Sequence, residues 1–116
     1  MTLRDLEDDL VMTLQSALPT INVMHGRYGD LNISTPAVMV YCEPAGFLRE
    51  DGRYTSAHVT IAACSAEGDA TESKFASLEL LAQAMAALRP PARSAPAFDG
   101  YYDNIAVALV EYTLPL

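Results

Sequence analysis

Basic residues are scarce in this chain: seven Lys and Arg stand against fifteen Asp and Glu, a net charge of −8. That balance argues against tight nucleic-acid binding, whose affinity rests on Lys and Arg contacts to phosphate. Cysteine is rarer still. Cys42 and Cys64 are twenty-two positions apart, a spacing that matches no zinc or redox motif. Both fall inside expected strands, so reduced, structural thiols are expected, with a cross-strand disulfide as the alternative. No apolar run reaches the ~18 residues of a membrane-spanning helix. The opening MTLRDLEDD is acidic where a secretory signal is basic, so no targeting segment is expected and synthesis in a cytoplasm is.

Groups suited to catalysis are equally thin. His58 shares a strand face with Ser56 and Thr60, but side chains two apart on a strand stand ~7 Å from one another. That is too far for the hydrogen bond between a nucleophile and its base. A solvated or interfacial histidine is the expectation. His25 has no cysteine or acid at ligand spacing along the chain. Asp99 and Asp103 flank Tyr101 and Tyr102, and turn chemistry is preferred over a cation site for them. Gly26 and Gly29 lead into a loop and not into a helix start, so no phosphate-binding loop is read there. No catalytic residue, cofactor or metal is expected.

What the chain does have is pattern. Its 116 residues are 51% hydrophobic, enough for one domain over 1–116 with its own core. Leu3, Leu6, Leu10, Leu14 and Leu18 recur at spacings of three and four, with Val11 and Ala17 alongside, and predict an amphipathic helix. Thr2 is placed to cap it, Asp5, Glu7, Asp8 and Asp9 suit its dipole, and Pro19 ends it. Ile21 to His25 reads as a short strand, and 26–36 as a loop. Ala37 to Glu43 is a strand apolar on both faces, the mark of one covered on two sides. Arg53 to Cys64 alternates. Thr55, Ala57, Val59, Ile61 and Ala63 form its apolar face, and Tyr54, Ser56, His58 and Thr60 the polar one.

These two strands predict an antiparallel hairpin with a long tip. Asp69 and Glu72 then open a second helix. Its stripe is Phe75, Leu78, Leu81, Ala82, Met85 and Leu88, widened by Ala84, Ala86 and Ala87, and Arg89, Pro90 and Pro91 stop it. Residues 90–104 read as an irregular connection with a turn at Asp99–Gly100. The last strand, Ile105 to Leu114, is again apolar on both faces. The order α-β-β-β-α-β predicts an α+β fold, two helices on one face of a mostly antiparallel sheet of about four strands. Strands apolar on both sides, with so few helices to cover them, read as a protomer of an assembly. At the hairpin tip, Phe47 and Leu48 are apolar residues among Arg49, Glu50, Asp51 and Arg53. That composition marks a candidate protein-contact site; the alternative has the pair folding back on its own sheet.

The segments LRDLEDDLVMTLQSALPTINV, PAVMVYC and KFASLELLAQAMAAL together resemble the tail-terminator (tail-completion) proteins of tailed bacteriophages and prophages, with the Mu-like family as the nearest likeness. The shared features are the apolar spacing of the first helix, Pro19, and Pro36 with the strand after it. Members of that family are longer, and the connections 44–52 and 89–104 are where this chain is shorter. The resemblance implies a structural protein of the virion tail or neck, assembled in the host bacterial cytoplasm. It implies a ring, commonly a hexamer, that sits on the tail tube, stops its elongation and offers the head-joining surface. The implied partners are further copies, the tail tube protein and a head-completion or connector protein. DNA passes through without specific binding, and neither a cofactor nor a membrane is involved. An acidic lining suits such a passage, because it repels a moving duplex. The competing reading is a small bacterial homodimeric binding module that uses its open sheet face.

Overall fold

The leucine stripe of the first helix decides where the core lies. In the computed structural model, which describes residues 1–27, 33–91 and 94–116, α1 (Leu3–Ala17) buries Leu6, Leu10, Val11 and Leu14. Ala17, expected on that stripe, is exposed at the final turn. A capping box starts the helix: Asp5 N–H donates to Thr2 Oγ1 at 3.1 Å, and Thr2 N–H donates to Asp5 Oδ2 at 3.2 Å. Hydrogen bonding of the Thr2 side chain, and then of its N–H, to the Asp5 carboxylate holds that carboxyl below its ordinary value.

The remaining elements are β1 (Asn22–His25), β2 (Ala37–Leu48), β3 (Tyr54–Ser65), α2 (Ala70–Leu88), β4 (Ala97–Tyr102) and β5 (Ile105–Pro115). The strands form one sheet in the order β1-β2-β3-β5-β4. The α+β class and the order of helices and strands are as expected, but the sheet departs from expectation twice. It is mixed, because β1 pairs with β2 in parallel. A long connection between His25 and Ala37 lets the chain return before pairing, where a tight turn forces antiparallel neighbours. It also has a fifth strand. Residues 97–102, read as irregular, pair with β5 as an edge strand. The turn expected at Asp99–Gly100 is a bulge between Phe98 and Gly100, and the chain reverses instead at Asp103–Asn104, with Asp103 at φ 56°. Residue types explain the misreading. AFDGYY carries no apolar alternation, because an edge strand need not bury one whole face.

Both helices pack on the same side of the sheet. Leu14 and Val11 of α1 and Leu80, Leu81 and Ala84 of α2 meet Val38, Val40 and Cys42 of β2, Val59 and Ile61 of β3, and Val110 of β5. α2 begins with Glu72 N–H donating to Asp69 Oδ1 at 2.9 Å. It ends where Arg89 turns to φ 51° before Pro90 and Pro91. On the other side of the sheet, Ala37, Met39, Ala62, Cys64, Ile105 and Val107 form a second buried cluster, with Met24, Ile33, Ala66, Tyr102 and Leu109 packed against it. The chain itself therefore covers the apolar part of the second face. Two-sided strands do not by themselves call for a partner here, contrary to the sequence-based argument. The two cysteines are free and buried, Cys42 in the helix-side cluster and Cys64 in the opposite one. Lying on opposite sides of the sheet, they are not placed to form the alternative disulfide.

Candidate protein-contact site

The hairpin of β2 and β3 outruns its neighbours and becomes an arm. Even-numbered residues of β2 turn their backbone groups toward β1, as Val40 shows by accepting Gly26 N–H at 3.0 Å. β1 ends at that point. The next outward N–H, on Cys42, donates to Glu7 Oε1 at 2.8 Å. The following outward position is Pro44, which has no N–H to offer. Pro44 thus sits in a strand edge and not in a loop, and the arm presents no free donor there for a stray strand. On the other side, β3 pairs with β5 only as far as Ser56 and Pro115, after which Leu116 N–H donates to Thr55 C=O at 3.0 Å.

Beyond these limits the arm shapes itself. Register shifts between Ala45 and Leu48, with Gly46 at φ 73°, a bulge that glycine accommodates. Phe47 N–H donates to Thr55 Oγ1 at 2.9 Å. A Cβ on Gly46 would stand 2.3 Å from that same Oγ1. The reversal is tight: Gly52 N–H donates to Arg49 C=O at 3.0 Å, and Arg49 N–H to Arg53 C=O at 2.7 Å. Gly52 has φ 82°, and Arg53 N–H donates to Asp51 Oδ1 at 3.1 Å. This is a three-residue hairpin loop closed by a left-handed glycine. The long tip expected over 44–53 is mostly strand.

The arm carries its apolar residues outward. Phe47 is 80% exposed and Leu48 62% exposed, so neither folds back on the sheet. Arg49, Glu50, Asp51 and Arg53 are exposed beside them. Among the described residues neither arginine makes an ion pair. The molecule is correspondingly elongated, 51 × 29 × 25 Å.

The other residues singled out in the sequence fall elsewhere. His58 Nε2 lies 3.6 Å from Glu111 Oε1, and Thr60 Oγ1 donates to the same oxygen at 3.5 Å. The partner of His58 is therefore an acid of β5, and not Ser56. His25 has acids close in space although none is close in sequence: Nδ1 is 3.0 Å from Glu7 Oε2 and Nε2 3.6 Å from Asp8 Oδ1. Asp99 Oδ2 accepts the Tyr102 hydroxyl at 2.5 Å. No group of three or more His, Cys, Asp or Glu able to hold a metal ion occurs among the described residues. Gly29, considered with Gly26 for a phosphate loop, lies outside the described residues.

A cavity of about 120 Å³ opens on the second sheet face, lined by Arg27, Tyr41, Glu43, His58, Thr60 and Glu111 among others. Arg27 stacks on Tyr41 at 5.3 Å. The cavity is well below the ~300–1,000 Å³ of small-molecule sites. Burial pushes the Cys42 thiol up to about 12, with the negative charge of Glu7 adding to it, and the Cys64 thiol up to about 11. Neither is an activated nucleophile. Among the described residues no helix is long and apolar enough to cross a membrane.

Comparison with protein-family models and with curated proteins finds no match to this chain.

Proposed function

We propose that the chain is a structural protomer of a phage or prophage tail, a terminator or neck protein that assembles into a ring on the tail tube. The observation that carries this reading is the β2–β3 arm, which holds Phe47 and Leu48 in solvent away from either core cluster. Apolar side chains placed at a projecting tip and ringed by charge suit a docking partner. The tail assignment comes from the resemblance of the first helix, the Pro36 strand and the second helix to tail terminators. The arm adds the means of association. In this reading copies join into a ring, commonly of six, which halts tube growth and receives the head-completion protein. The acidic balance keeps passing DNA from sticking.

The test is assembly. Purified protein is expected to show a closed multimer by light scattering, alone or on cognate tail-tube subunits, and to shorten growing tubes seen by electron microscopy. A chain that stays monomeric at every accessible concentration and leaves tube length unchanged refutes the reading. A stable dimer built on the second sheet face, with no effect on tubes, supports the binding-module reading instead.

A further inference from the structure

We infer that the arm tip of one copy docks in a groove along α2 of the next copy, in a head-to-tail contact. This deepens the ring reading and rests on it. Among the described residues the large apolar side chains left exposed are Met1, Met12, Phe47, Leu48, Phe75 and Tyr101. Two of them form the tip. Phe75, 54% exposed, lies in a shallow groove along the surface of α2 that is largely open to solvent. Glu72, Phe75, Ala76 and Glu79 follow one another at helical spacing along this groove, and Glu67 and Thr71 complete its wall.

Charge selects the occupant. The tip brings Arg49 and Arg53 beside its two apolar residues, and the groove brings Glu67, Glu72 and Glu79 around Phe75. None of these five charges makes an ion pair within the protomer among the described residues. Lys74, which lies 5.7 Å over the Phe75 ring, stands ready for Glu50 of an incoming tip. A second copy thus matches the groove through its apolar pair and through Arg49, Arg53 and Glu50, while Asp51, whose Oδ1 accepts the Arg53 N–H, is held by its own tip. The geometry is also right for repetition. Tip and groove are different patches of one molecule, so their contact is heterologous, and a heterologous contact that closes makes a ring without leaving either patch unused.

The experiment mixes two variants, Leu48→Cys and Ala76→Cys, under mild oxidation, with Phe47 and Phe75 kept. Cys42 and Cys64 are buried and stay out of the reaction. The mixture is expected to give a disulfide-linked heterodimer at least tenfold more abundantly than either variant alone. A second pair tests the charges: Arg49→Glu with Arg53→Glu is expected to weaken assembly at least tenfold, and Glu72→Arg with Glu79→Arg in the same chain to restore it. Wild-type protein that assembles while the mixture fails to cross-link, or while Leu48→Cys cross-links to itself, overturns the docking and leaves the ring standing. Wild-type protein that neither assembles nor acts on tubes overturns the ring, and the docking with it.

Discussion

Replacing Phe47 with serine separates the protomer's stability from its assembly. Phe47 as a residue keeps 80% of its surface exposed, so about a fifth of an aromatic burial is at stake. Full burial of a Phe side chain is worth roughly 1.5–3 kcal/mol, and a fifth of that is roughly 0.3–0.6 kcal/mol. The lower strand propensity of serine adds at most ~1 kcal/mol. The hydrogen bond at this position uses the Phe47 backbone N–H and Thr55 Oγ1, and it survives the change. Phe47→Ser should therefore cost no more than ~1.6 kcal/mol in urea unfolding followed by circular dichroism. Leu14→Ala is the internal standard, since Leu14 is fully buried and its truncation should cost ~2.7–5 kcal/mol. Light scattering on the same samples should show Phe47→Ser folded and unassembled. Two results refute the reasoning. If Phe47→Ser loses as much stability as Leu14→Ala, the ring belongs to the protomer's own packing. If it folds and assembles like wild type, the tip is not the contact.

Three further outcomes follow from the same geometry. Gly46→Ala should destabilise by ~1–3 kcal/mol, because its backbone is left-handed and its Cβ would meet Thr55 Oγ1. Gly52→Ala, where a Cβ meets nothing within 4 Å, should cost less in the same urea titration; equal losses would contradict the account of the bulge. Glu7→Ala should cost ~1–3 kcal/mol by leaving the Cys42 N–H without its acceptor, whereas Glu7→Gln keeps an oxygen there and should lose less. Amide exchange at Cys42 reports the same bond directly. Iodoacetamide at about pH 8 should leave both thiols of the folded protein unmodified and label both in urea. An unfolded thiol ionises near 9.0, and the folded ones are pushed up to about 12 and about 11. The unfolded chain then holds fewer protons than the folded one, so these groups lower stability as pH rises above about 9. Rapid native labelling, or a rise in stability over that window, would show that the thiols are not buried.

The ends of both helices and the buried face of α1 were legible because their signals are local. The Leu6, Leu10, Leu14 spacing, the Thr2–Asp5 cap and the stop at Arg89–Pro90–Pro91 each lie within one or two turns. The face of α2 was not legible, since Phe75 and Ala82 of the expected stripe are exposed while Ser73, Ser77, Leu80 and Ala84 are buried beside Leu81. The pairing of β2 with β3 was legible for a related reason, since Ala57, Val59 and Ile61 alternate with polar residues and point to one face. The ends of that hairpin were not. Pro44 and Gly46 read as loop residues, yet an edge proline and a bulge glycine are the same residue types doing a different job. The acids beside His25 and His58 were not legible because α1 and β5 supply them from far along the chain. The contact residues of the tip could be proposed from composition, but their exposure could not.

By itself the amino-acid sequence determined the α+β class, two helices on one sheet face, the acidic character, and the placing of Phe47 and Leu48 near the end of the hairpin, where the structure makes them the last residues of β2. These rest on side-chain periodicity, caps and charge, which need no knowledge of distant neighbours. Tertiary structure alone decided that β1 runs parallel to β2, that 97–102 completes the sheet edge, and that Ile33, Tyr102 and Leu109 help cover the second face. It also moved the case for a partner from that covered face to the arm. The physical reason is that burial belongs to the packed whole: whether an apolar side chain is satisfied depends on what the rest of the chain brings to it.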